Sequence, residues 1–146
     1  MRRGLFIGVV GILTLALPAL ADAPSGRYTF PTNGTVYDTR TKLTWQRMLD
    51  DVDYTQSAAV SYCTSLSLDG TGWRLPSVDE LLTLIDPTKY SPAIDQTAFP
   101  GANTSFTFWS STLGAGPAGR AWGVYFSNGA SNRYDVTTKT RARCVR

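Results

Sequence analysis

Three cations alternate with uncharged residues near the end of the sequence. Lys139, Arg141 and Arg143 are spaced by Thr140 and Ala142, and Cys144 follows. On a strand, where side chains alternate between faces, the three share one face and Cys144 turns to the other. A row of guanidinium and ammonium groups suits sulfate or carboxylate groups, which arginine grips through paired hydrogen bonds. Arg120 and Arg133 belong to the same basic stretch: residues 120–146 carry six bases and one acid, a net +5, against a net −6 over 48–119. Strand alternation puts Tyr125 opposite Trp122 and Phe126, and Tyr134 lies nearby in the next hairpin. Exposed rings of this kind can pack on sugar faces. The competing reading leaves these cations solvated, or paired with Asp79, Glu80 or Asp86, where surface pairs contribute little.

Much other chemistry is excluded. The 146 residues contain no histidine and two cysteines. His-based acid–base catalysis, Ser–His and Cys–His pairs and His-containing zinc sites are therefore absent. Two cysteines are too few for an all-cysteine zinc site or an iron–sulfur cluster. Asp50-Asp51-Val52-Asp53 lacks the glycine and terminal glutamate of an EF-hand loop and reads as a solvated acidic loop. Asp79 and Glu80 are adjacent, so on a helix they diverge rather than form a glycosidase pair. No metal, cofactor or nucleic-acid partner is expected. Asn33 and Asn103 head glycosylation triplets, which matter only in a host that modifies exported asparagines.

Residues 1–21 read as a secretory signal. Arg2 and Arg3 precede an apolar run from Leu5 to Leu17, Pro18 breaks it, and Ala19-Leu20-Ala21 offers small residues for cleavage. An uncleaved anchor is the competing reading, since residues 4–21 carry no charge. After cleavage, 12 bases face 11 acids. In an exported chain an even cysteine count points to one disulfide, Cys63–Cys144. Closing so long a loop stabilises by about 4.5 kcal/mol on the chain-entropy model. The alternative is a reactive or redox thiol pair, although the spacing is not C-x-x-C.

The elements that must position these residues follow from patterning. Residues 22–33 form a lead-in whose first six residues are expected to be disordered. Val36–Asp38 and Leu43–Gln46 read as a hairpin. Residues 55–66 read as a helix capped by Thr55, with Ala58, Ala59, Tyr62, Cys63 and Leu66 on one face. Ser77 and Glu80 form a capping box for a second short helix that buries Val78, Leu81, Leu82 and Ile85. Residues 86–105 read as a long surface connection. Strands are expected at 106–110, 120–126, 132–136 and 140–145, with a turn at Asn128-Gly129. Trp45, Trp73, Trp109 and Trp122 are expected in the core. The order describes an α+β domain over 34–146.

The segments GTVYDTRTKLTWQR, SYCTSLSLDGTGWRLPSVDELLTLID, SPAIDQTAFP, FWSST, AWGVYFSNG and RCVR together resemble the C-terminal domain of Legionella collagen-like adhesins, through residues 34–146. That family is similar to the C-type-lectin-like fold of sulfatase-modifying (formylglycine-generating) enzymes, which share the W-R-L-P segment and the R-C-V-R end. The resemblance implies two short helices on a small, mostly antiparallel twisted sheet, in an exported domain that binds something. Sulfated glycans are ligands of the adhesin relatives. The enzyme branch needs reactive cysteines, and here both are assigned to a bridge. No collagen-like Gly-X-Y stretch is present, so the trimeric stalk is not carried over.

The resulting expectation is a non-catalytic recognition domain, secreted or periplasmic, with no membrane contact once the leader is removed. It would bind an acidic glycan or a surface protein through Arg120, Tyr125, Arg133, Tyr134, Lys139, Arg141 and Arg143. The alternatives are an enzyme with a polar site built from loops 86–105 and 111–119, and a structural protein of the envelope.

Overall fold

The computed structural model describes residues 23–32, 34–102, 105–116 and 119–146. The leader and its cleavage site lie outside the described residues, as do Asn33 and Asn103. Among the described residues no helix is long and apolar enough to cross a membrane.

The chain is α+β. Strands β1 (Tyr28–Thr29), β2 (Thr35–Asp38) and β3 (Leu43–Gln46) form one antiparallel sheet. Helices α1 (Gln56–Ser65) and α2 (Val78–Leu82) follow. Strands β4 (Thr107–Leu113), β5 (Arg120–Tyr125) and β6 (Ala130–Asp135) form a second antiparallel sheet. Both helices start where their caps predict. The Thr55 hydroxyl accepts from the Ala58 amide, and Ser77 and Glu80 close a reciprocal capping box. The turn between β5 and β6 needs Gly129, whose φ of 79° is costly for a residue with a Cβ.

The second sheet is covered on both sides. Phe108 and Val124 point into a cluster with Val36, Trp45, Leu81, Ile94, Phe99 and Phe126. Trp109 and Ala121 point the other way, into a cluster with Ala59, Cys63, Trp73 and Leu75. This is why the adjacent Phe108 and Trp109 of β4, which point to opposite faces, are both fully buried.

Residues 140–146 tie these parts together, but not as the strand the sequence predicts. Thr140 exchanges backbone hydrogen bonds with Tyr54, Arg141 bonds Thr107 and Trp109, and Cys144 accepts from Gln46. Val145 exchanges bonds with Arg74, and Arg146 with Thr44. The segment threads between elements as isolated bridges. The Cys63–Cys144 disulfide fastens it to α1 across a sequence separation of 81, and both cysteines are fully buried.

Two other expectations are corrected. The expected surface connection over 86–105 is partly core among its described residues: Ala93, Ile94, Asp95, Ala98, Phe99 and Ala102 are buried. The lead-in is ordered from Ala23 onward among the described residues, and β1 adds to the first sheet. Its anchor is Arg27, which reaches Asp38 at 3.2 and 2.8 Å and the Thr83 carbonyl at 2.7 Å. Of the four tryptophans, Trp45, Trp73 and Trp109 are core, while Trp122 is only half-buried.

Candidate ligand-binding face

The basic row 139–143 does not exist as a surface. Lys139 is exposed, Arg141 is 9% exposed and Arg143 is fully buried. Alternation fails because the segment is paired to a different element at almost every residue, so no single sheet face organises its side chains.

Arg143 lies 4.9 Å from the Phe99 ring centroid and 5.8 Å from that of Phe108. Its Nη1 donates to the carbonyl oxygens of Gln46 and Arg47 at 2.6 and 2.8 Å. Its Nε and Nη2 have no hydrogen-bond partner. Burial disfavours the charged form and pushes its pKa down to about 9. Arg143 is therefore a core residue, not a glycan ligand. Arg141 lies 4.4 Å above the Phe106 ring. Its Nη1 donates to Asp51 Oδ1 at 2.9 Å, and its Nε lies 2.9 Å from Asp53 Oδ1 without hydrogen-bond alignment. The acidic loop is thus not merely solvated. Asp50 accepts from the Tyr54 hydroxyl, and Tyr54 stacks on Tyr62 with centroids 4.8 Å apart.

The two tyrosines also part from the basic residues. Tyr134 sits opposite Ala121 and meets Trp109 edge-on at 6.2 Å, so it closes the second cluster. Tyr125 is half-buried opposite Ala130 at the far end of β5. Both point away from the face that carries Arg120 and Arg133.

What remains together is a smaller patch. Arg120, Trp122 and Arg133 share one face, with Trp122 and Arg133 directly paired across β5 and β6. Arg120 and Arg133 are exposed. The Arg133 guanidinium lies 5.8 Å from the Trp122 ring centroid and donates to the Ala115 carbonyl at 2.7 Å. Gly114 permits this approach: a Cβ there would stand 2.9 Å from Arg133 Cδ and 3.4 Å from Arg120 Cβ. Asp135, opposite Arg120, accepts from the Thr137 hydroxyl and amide, which hold its carboxyl below the usual range. Sequence reading missed Trp122 because Trp122, Val124 and Phe126 alternate as one apolar face. Only its position near the strand end, beyond the core, exposes it.

Among the described residues no three His, Cys, Asp or Glu side chains gather as a metal-holding group. Both buried carboxylates accept hydrogen bonds that hold them in place. Burial works against the charge on Asp38, but hydrogen bonds from Arg27 and the Arg40 amide hold its pKa below the usual value. Asp95 accepts from the Thr97 and Ala98 amides.

The described residues thus form a disulfide-tied α+β domain with structural buried arginines and a compact basic-aromatic patch. The family model of the Lcl C-terminal domain matches residues 34–146, and the chain belongs to that family, the C-terminal domain of the Legionella collagen-like protein. Comparison with curated proteins gives no match.

Proposed function

We propose that this chain is an exported, non-catalytic recognition domain with a C-type-lectin-like fold, binding an acidic or sulfated polysaccharide at the cell envelope or outside it. The carrying observation is the exposed face of Arg120 and Arg133 around half-exposed Trp122. Two guanidinium groups can meet sulfate or carboxylate groups, and the indole offers a flat apolar surface to a sugar ring. Lys139 adds an exposed cation on the turn after β6. The leader-like residues 1–21 support export, and two cysteines committed to one bridge fit an oxidising destination.

Heparin and alginate columns test the reading. The wild-type protein is expected to be retained on at least one of them. Arg120→Asp with Arg133→Asp is expected to elute at clearly lower salt, because each lost contact to a polyanion reduces counterion release. Elution at the same salt would remove this face from consideration. A surface protein as ligand would instead show retention on neither column.

A further inference from the structure

A cleft lies on the other sheet, between the lead-in and the loop that follows α2. It encloses about 280 Å³, and adjoining hollows of about 130 and 240 Å³ continue past Pro24. That is the small end of the range for ligand sites. Its walls are fixed. The Thr39 amide and hydroxyl donate to the Arg27 carbonyl at 2.8 and 2.9 Å, and Arg27 itself is locked to Asp38 and Thr83. On the opposite wall Asp86 accepts from the Thr88 amide at 2.9 Å and hydroxyl at 2.6 Å, and its own amide bonds the Ala93 carbonyl.

The lining separates charge by element: Arg27 and Arg40 come from the lead-in and the β2–β3 turn, and Arg27 is neutralised by Asp38. Arg40, exposed in the β2–β3 turn, brings a guanidinium. Asp86 and Asp95, from the segment after α2, bring carboxylates. Asp95 spends Oδ1 on two backbone amides, which fixes the carboxylate in place. Leu84, Ile85 and Pro87 supply an apolar floor. A small cavity with a cation on one wall, anions on the other and an apolar floor is complementary to a small zwitterion. We propose that the cleft binds a free amino acid or short peptide, its carboxylate on Arg40, its ammonium on Asp86 and Asp95, and its side chain over Leu84 and Ile85. The site uses none of Arg120, Arg133 or Lys139, so it stands or falls separately from polysaccharide binding.

The test is an NMR titration of the purified protein at millimolar concentration with a panel of amino acids and dipeptides, their N-acetylated and amidated forms, and monosaccharides. Saturable shifts at the Ile85 and Thr88 amides are expected. Arg40→Ala and Asp86→Asn should each weaken binding about tenfold, the loss of one charge-assisted hydrogen bond, in proteins that keep the wild-type amide spectrum away from the cleft. Equal binding of N-acetylated or amidated ligands, or shifts only with monosaccharides, would overturn the zwitterion assignment. No shift with any panel member would overturn the site itself.

Discussion

Arg143 donates through Nη1 to the main-chain carbonyl oxygen of Gln46 at 2.6 Å, across 97 residues of sequence. The contact joins the end of the chain to the last residue of β3 in a place that water does not reach. A cation there is costly to bury. It is retained by two carbonyl acceptors and two phenyl faces, with no carboxylate paired to it among the described residues. Arg143→Ala should destabilise by about 3–5 kcal/mol, combining a large cavity with two orphaned carbonyls. Arg143→Met fills the cavity and should cost about 1–3 kcal/mol. Urea unfolding of both variants checks this; a Met variant more stable than wild type would mean that burying the charge outweighs its hydrogen bonds.

Arg141 makes the opposite case. Its partner Asp51 has a side chain 95% exposed, and that of Asp53 is 42% exposed. Asp51→Asn and Asp53→Asn should each change stability by less than about 1 kcal/mol. Arg141→Ala should cost more than either, because it also uncovers Phe106. Thermal melts of the three variants, with equal losses, would show that the ion pairs dominate instead.

Removing the bridge should have a large effect. The paired Cys63→Ala and Cys144→Ala variant is expected to lose about 4.5 kcal/mol on the chain-entropy model. Urea titration of this variant against the oxidised protein measures it. A loss below about 1 kcal/mol would mean that the 140–146 segment is held by its other contacts alone.

Stability should fall in acid through Asp38. Its folded pKa is depressed, so its contribution is complete above the ordinary carboxylate value of about 4 and disappears as pH falls through the folded value. Glu80, lowered first by its hydrogen bond from Arg74, acts in the same direction but is more exposed. In the Asp38→Asn variant, the drop in unfolding free energy between pH 5 and pH 2 should be smaller than in wild type. An identical slope would assign acid sensitivity to other groups.

The capping box gives a local prediction. Ser77→Ala should cost about 1 kcal/mol, since the serine hydroxyl satisfies the Glu80 amide at 3.1 Å. A change in melting temperature indistinguishable from zero would mean that Pro76 and the Thr112 contact to Val78 suffice to start the helix.

What the sequence made legible was local. Thr55, the Ser77–Glu80 pair and Asn128-Gly129 each act within a few residues, and each appears as read. The cysteine pair was legible because only one pairing exists. Arg141 and Arg143 were misread because alternation assumes a strand with regular neighbours, whereas residues 140–146 are bonded in turn to several separate elements. The burial of residues within 93–102 left no periodic trace. Its only signals were the short apolar pairs Ala93-Ile94 and Ala98-Phe99. The Arg27–Asp38 lock joins residues 11 apart across a strand pairing too short to announce itself.

The bridging segment 140–146 comes later in the sequence than every element it joins. A chain synthesised N-terminus first would hold both sheets and both helices before it had the residues that weld them. Contacts spanning most of the sequence make such assembly slow, and the half-built form leaves apolar faces open. The domain should therefore close only once its last residues are available, and truncating the last seven should yield protease-sensitive material rather than a slightly smaller fold.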